Sequence, residues 1–171
     1  VSMTLKKGEK IAIVGYNGAG KTTLIKLLMR LYDPTGGQIL MNGIDIREFE
    51  IDAYRNKIGS VFQDYKIFAA TIAENVMNGK YDEQNDELTV KNALDGAGFT
   101  EKLSTLDGGI NTTLTREFDD KGTNLSGGES QKVAIARVFA KPFELIIMDE
   151  PSSALDPMAE YELNQAISEY A

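Results

Sequence analysis

The chain has 171 residues, a formal net charge of −8 and no cysteine. A chain of this length is expected to form one domain with a sizeable core. Its negative net charge disfavours nucleic acid and anionic membrane surfaces as partners. The lack of cysteine excludes disulfides, metal thiolates and thiol chemistry. No apolar run approaches the roughly 20 residues that span a bilayer, and residues 1–7 are too polar for a signal peptide.

A glycine-rich loop follows the first apolar run of the chain. Ile11–Val14 is predicted to be a strand buried on both faces. The glycines of the loop after it remove Cβ atoms, permit positive φ, and allow backbone N–H groups to converge on an anion. The residues predicted to bind ATP here are Gly15, Tyr16, Asn17, Gly18, Ala19, Gly20, Lys21, Thr22 and Thr23.

A helix is predicted to follow this loop directly, over Lys21–Leu31. Its leucines at 24, 27, 28 and 31 recur at i, i+3, i+4 and i+7 and form a core-facing stripe. The helix start would direct free N–H groups and the helix dipole at phosphates. Lys21 would reach the β- and γ-phosphates, and the Thr22 hydroxyl would bind Mg²⁺. The alternative is an ordinary glycine-rich turn that happens to contain Lys-Thr.

A mostly helical segment is predicted between residues 64 and 124. Within it, Val90, Ala93, Leu94 and Ala97 share one helical face, and a turn is predicted at 107–109. The flanking stretches 1–63 and 125–171 are predicted to form the catalytic core of a single domain, with a parallel sheet and right-handed crossovers.

A second glycine-containing helix start is predicted at Ser126, Gly127, Gly128 and Glu129. Ser and Glu at this spacing form a capping box, and the helix is predicted to run through Gln131 to Ala140. A capped helix start with two glycines is also an anion site. Because one nucleotide has no obvious need for two such sites, this one is predicted to serve the ATP held by another protomer.

The last predicted strand, Leu145–Met148, ends at two carboxylates. Asp149, at the carboxyl end of a buried strand, is suited to hold the water shell of a metal, and Glu150 to polarise an attacking water as general base. The alternative is that Asp149 caps the following turn and Glu150 is merely solvated.

At these residues the chain resembles the nucleotide-binding domain of ABC transporters, over nearly its whole length. The resemblance implies an α/β, P-loop NTPase (RecA-like) fold: a mostly parallel sheet core, a β-rich N-terminal portion and an inserted α-helical subdomain. It implies that Gln63 touches Mg²⁺ and the attacking water, and that Asp156 lies in a loop crossing a dimer interface. The alternatives are a surface role for Gln63, and for Asp156 a helix cap before Pro157.

The resemblance further implies a mechanism of ATP hydrolysis. Lys21, Gln63 and Glu150 would be catalytic, while Thr22, Gln63 and Asp149 would hold Mg²⁺, Asp149 through water. The residues at 126–129 would complete the site of the second nucleotide-binding domain in a head-to-tail dimer. ATP and Mg²⁺ are the expected cofactors.

The subtype resembles exporters. Ile67–Val76 is similar to the stretch that follows the glutamine loop in export-type domains, and 37–43 resembles their strand and turn. Two segments depart from the exporter pattern. Residues 18–23 are more similar in sequence to importers, and Asp119-Asp120-Lys121-Gly122 stands where exporters carry Gly-Glu-x-Gly. The alternatives are an importer subunit, a soluble ABC protein of DNA repair or translation, and a catalytically silent module.

The resemblance also implies partners and a location. A transmembrane domain, expected in the same polypeptide, would place this domain at the cytoplasmic side of the cell membrane. Its coupling helix would dock beside Tyr54, Arg55, Tyr65 and Phe68, for which plain packing is the alternative. The resemblance implies an adenine-stacking aromatic upstream of Val1 and, beyond Glu150, a histidine that grips the γ-phosphate, whereas the sequence starts at Val1 and has no histidine. It is therefore expected to be a piece of a longer polypeptide that alone binds ATP weakly.

Overall fold

The structure is a computed structural model, and it describes residues 1–16, 18–62, 64–118, 120–149 and 157–170. The chain divides into two compact units. The first contains Val1–Gly59 and Phe143–Ile147, and the second contains Ser60–Pro142 and Met148–Tyr170. The division predicted from the sequence, at residues 63 and 125, stays a prediction. Across the described ranges, no helix is both long enough and apolar enough to cross a membrane.

Helices make up most of the regular structure that is described. The α-helices are α1 (Lys21–Leu28), α2 (Ile51–Arg55), α3 (Ile72–Met77), α4 (Glu83–Gly96), α5 (Thr100–Ser104), α6 (Gly127–Phe139) and α7 (Pro157–Tyr170). The strands are β1 (Leu40–Met41), β2 (Ile44–Asp45), β3 (Ile58–Val61) and β4 (Leu145–Met148). Short 3₁₀ helices cover Ile46–Glu48 and Gly109–Asn111.

Within the described ranges, the strands form two pairs. β1 and β2 are antiparallel, with Leu40 opposite Asp45, and the two residues that join them have positive φ, 53° at Asn42 and 81° at Gly43. Asn-Gly favours this turn because both residues tolerate positive φ. β3 pairs with β4. The carbonyl of Lys57 accepts from the Leu145 N–H and that of Val61 from the Asp149 N–H, so β3 and β4 run parallel.

The buried strand predicted at Ile11–Val14 is wrong. These residues have no regular secondary structure and are exposed, Val14 to 91% and Ile11 to 47%. A strand needs a partner for its backbone N–H and C=O groups, and no described strand pairs with residues 11–14. An apolar run alone is therefore not enough to form a buried strand here, because no strand of the described residues pairs with it.

The helix predicted over Lys21–Leu31 ends earlier, at Leu28, and Leu31 lies outside it with 47% exposure. Arg30 adopts a left-handed conformation, with φ 51°. Its N–H bonds the Leu27 carbonyl at 3.0 Å, and the Leu31 N–H bonds the Lys26 carbonyl at 2.8 Å. This pair of bonds is the Schellman ending of a helix. An arginine at a position that usually holds glycine gives no stop signal in the sequence.

The core of the second unit is helical. α6 packs against α3 and α4, and α3 also contacts α4. The predicted apolar face of α4 is confirmed, since Val90, Ala93, Leu94 and Ala97 are at most 4% exposed.

Two predicted helix starts are confirmed, and the predicted burial of one strand needs a correction. α6 begins where the capping box predicts, and α7 begins at Pro157. β4 has the predicted bounds, but only Ile147 of its four residues is buried.

Candidate functional site

The loop before α1 has the geometry of an anion cradle. Gly18 and Gly20 have φ of 82° and 90°, in a region of backbone conformation that residues with a Cβ rarely adopt. The Ala19 N–H closes a turn onto the Tyr16 carbonyl at 3.0 Å. Gly20 is the N-cap of α1, and no side chain caps the helix. The N-cap residue thus provides no side-chain acceptor for the first-turn N–H groups of α1, and N–H groups at such a helix start can bind an anion.

The side chain of Lys21 is held at this loop by two backbone carbonyls of the loop. Its Nζ donates to the carbonyls of Gly15 at 2.6 Å and Tyr16 at 3.1 Å. The ammonium therefore already lies over the loop that would receive phosphate. Thr22 and Thr23 are exposed, as are residues 15, 16 and 18–20, and Lys21 is half-buried. The structure thus brings together eight of the nine predicted residues of this site, and Asn17 lies outside the described residues.

The capping box at the start of α6 is formed in full. The Ser126 hydroxyl accepts from the Glu129 N–H at 3.2 Å, and the Ser126 N–H donates to the Glu129 carboxylate at 2.7 Å. Lys102 adds an ion pair to the same carboxylate at 3.1 Å. Gly127 and Gly128 form the first turn, so a compact side-chain-free surface lies next to a capped helix start.

The charge state of Glu129 follows from these contacts. Burial raises the pKa of Glu129, but the Ser126 N–H, the Ser126 hydroxyl and the Lys102 ammonium outweigh it, so the pKa lies below its ordinary value. Glu129 is therefore ionised at neutral pH, and its carboxylate accepts the bond from the Ser126 N–H that completes the box.

Asp149 is fixed at the end of the parallel strand pair. It directly follows β4, is half-buried, and its N–H donates to the Val61 carbonyl at 2.9 Å. A carboxylate at the carboxyl end of a parallel strand is in the usual position for ligand chemistry in α/β folds. Gln63, Glu150 and Asp156, which the sequence also predicts for the site, lie outside the described residues.

The four residues predicted to flank a docking groove differ in what they contact. In the first unit, the Tyr54 hydroxyl donates to the Leu28 carbonyl at 2.6 Å and Arg55 Nη2 to the Arg30 carbonyl at 2.9 Å. In the second unit, the Tyr65 hydroxyl donates to the Gly127 carbonyl at 2.8 Å, and Phe68 is 51% exposed. Tyr54 is 1% exposed, so packing accounts for it. The docking role of the others stays a prediction.

Sequence reasoning missed one buried polar contact in the second unit. Asn75 is fully buried and Arg137 donates to it twice, from Nε to its carbonyl at 2.8 Å and from Nη2 to its side-chain oxygen at 2.9 Å. Burial lowers the pKa of Arg137, yet an arginine stays protonated at neutral pH. The two residues are 62 positions apart in the sequence, and no local pattern links them.

Comparison with known proteins agrees with this geometry. The sequence profile of the family described as ABC transporter matches residues 1–153, and the chain therefore belongs to that family. It is 44% identical over 164 residues to the subtilin transport ATP-binding protein SpaT of Bacillus subtilis, covering 95% of the chain and 26% of that protein. It is 41% identical over 167 residues to the beta-(1→2)glucan export ATP-binding/permease protein NdvA of Agrobacterium fabrum, covering 98% of the chain and 27% of that protein.

A solved structure gives the same result for the fold. The structure of a bacterial Atm1-family ABC exporter with ATP bound matches with a TM-score of 0.83 and 35% identity, over 96% of the chain and 28% of that protein. The fold is therefore that of an ABC nucleotide-binding domain, a P-loop NTPase fold with a parallel strand pair. The chain spans about a quarter of the length of the relatives it matches.

Proposed function

We propose that this chain is the ATP-binding and ATP-hydrolysing domain of an ABC exporter, working as a head-to-tail dimer. The observation that carries the proposal is the presence of two different helix starts suited to phosphate in one chain. One is the uncapped start of α1 beneath Lys21, and the other is the capped, glycine-lined start of α6. The names of the relatives, which include transport and export proteins, support the direction of transport.

ATP would be bound by the loop of residues 15–23. Its glycine turns and the free N–H groups of α1 suit the triphosphate, and Lys21 Nζ would exchange its contacts with Gly15 and Tyr16 for phosphate oxygens. The exposed Thr22 hydroxyl suits Mg²⁺, whose role when bound is to neutralise charge on the phosphates.

Hydrolysis would depend on the strand ends. Asp149 would bind the water shell of Mg²⁺ from the end of β4, where the bond to Val61 fixes its backbone. We assign Glu150 as the general base for the attacking water and Gln63 as the residue that orients that water and contacts Mg²⁺. In-line attack would then proceed on the γ-phosphate.

The second site would act in trans. Ser126, Gly127, Gly128 and Glu129 would contact the ATP held on a second nucleotide-binding domain, and Asp156 would contribute to the interface. The Gly-Gly first turn of α6 lets a phosphate approach the backbone closely. The remaining expected partner is a transmembrane domain, with this domain at the cytoplasmic side of the cell membrane. The mostly parallel sheet core and the helical subdomain of residues 64–124 belong to the same proposal.

Nucleotide titration with a matched pair of lysine variants tests the proposal. Lys21→Ala should weaken MgATP binding at least tenfold, because hydrogen bonds to charged groups contribute about 1.5–3 kcal/mol each. Lys26→Ala, on the same helix but exposed and stacked on Tyr32, is the control and should bind ATP normally. Equal binding by wild type and Lys21→Ala would contradict the proposed site.

A further inference from the structure

The segment of residues 64–71 is fastened to the start of α6 by a single side chain. The Tyr65 hydroxyl donates to the Gly127 carbonyl at 2.8 Å. Gly127 is the first residue of α6, and Tyr65 comes two residues after Gln63 in the sequence. One hydroxyl therefore joins the stretch that follows the glutamine to the glycine turn assigned to the second ATP.

The same segment is also fastened near the other end of α6. The Asn75 side chain accepts from the Phe68 N–H and donates to the Phe68 carbonyl, both at 2.9 Å. Arg137, in the last turn of α6, bonds Asn75 and lies with its guanidinium carbon 5.1 Å from the centre of the Phe68 ring. Residues 68–71 therefore follow the position of Arg137.

These two attachments lie far apart on one rigid element. Gly127 and Arg137 are ten residues apart, which corresponds to about 15 Å along a helix. A segment held at one point can pivot, whereas a segment held at two such points must move together with the helix. Burial raises the pKa of Tyr65, so its hydroxyl stays protonated and can donate throughout the neutral range.

We propose that Tyr65 is a positioning residue, whose hydroxyl sets the orientation of the Gly127 turn relative to the segment that follows Gln63. The inference rests on the proposed function, because it concerns the contact of that turn with ATP on the second domain. Without the hydroxyl, Phe68, Asn75 and Arg137 still hold the far end of the segment, but the first turn of α6 loses its link. ATP binding at Lys21 does not depend on this bond.

The test is Tyr65→Phe in the assembled transporter, which removes one oxygen and keeps the ring. We expect kcat for ATP hydrolysis to fall about 3- to 10-fold, as for the loss of one ordinary hydrogen bond. The Kd for MgATP should stay within about twofold of wild type. Tyr81→Phe is the matched control: in the described part of the chain, its buried hydroxyl has no hydrogen-bond partner. That variant should keep the wild-type kcat.

Two results would overturn the inference. One is a fall in kcat of less than threefold in Tyr65→Phe, and the other is an equal loss of kcat and of MgATP affinity, which would indicate general damage. Thermal unfolding of each variant, compared with wild type, identifies such damage directly. If the wild-type transporter itself does not hydrolyse ATP, the proposed function fails as well, and the two failures are thereby distinguished.

Discussion

Replacement of Asn75 by alanine should be among the most destabilising single changes in the second unit. The side chain is fully buried on α3, a helix that packs against α6. It bonds the Phe68 N–H and carbonyl at 2.9 Å each and the Thr71 carbonyl at 3.0 Å, and it accepts from Arg137 at 2.9 Å. Alanine would remove the side-chain amide that makes all four of these hydrogen bonds.

The magnitude follows from those four bonds. Three neutral hydrogen bonds contribute about 0.5–1.5 kcal/mol each, and the bond from the guanidinium about 1.5–3 kcal/mol. Water entering the space left by the amide would restore part of this, so we expect a loss of about 3–5 kcal/mol in the free energy of unfolding. This is a large share of the roughly 5–15 kcal/mol that stabilises a typical domain.

Urea unfolding followed by far-ultraviolet circular dichroism measures this loss. Asn92→Ala is the control, since Asn92 is exposed on α4, and a surface substitution should change the free energy by no more than about 0.5 kcal/mol. A value for Asn75→Ala within about 1 kcal/mol of the control would refute the reasoning, because it would mean that the four bonds contribute nothing net.

Three further predictions concern stability. Gly59→Ala should cost about 1–3 kcal/mol, because a Cβ there would lie 2.6 Å from the Phe143 ring, and urea unfolding checks it. Ser126→Ala should cost about 1 kcal/mol by the same assay, through loss of the cap on α6. Because the pKa of Glu129 is lowered in the folded state, its contribution is present above the ordinary value of 4.5 and is lost as the pH falls through the folded pKa. Thermal melts at decreasing pH should therefore show a smaller acid loss in Glu129→Gln than in wild type.

Features set by neighbouring residues could be predicted from the sequence. The Ser126–Glu129 capping box, the apolar face of α4 and the start of α7 at Pro157 each depend on residues within a few positions of one another. The positive φ of Gly18 and Gly20 belongs to the same class, because it follows from the glycines themselves; the binding of an anion at this loop stays a prediction.

Features that depend on residues far apart in the sequence could not be predicted from it. Whether Ile11–Val14 forms a strand depends on a neighbouring strand, and the apolar pattern carries no information about its presence. Arg30 ends α1 in a left-handed conformation that its side chain supports through bonds to the carbonyls of Ile46 and Phe49, 16 and 19 residues away. The link between Asn75 and Arg137 is equally non-local.

Disulfide cross-linking between two chains tests whether two copies of this domain bind ATP head to tail. The chain has no cysteine, so Tyr16→Cys in one chain and Ser126→Cys in another, both also carrying Glu150→Gln to block hydrolysis, give one thiol each. Both positions are exposed. In the assembled transporter, we expect a cross-linked pair with MgATP and none without nucleotide. Failure to cross-link while ATP still binds would contradict the head-to-tail arrangement.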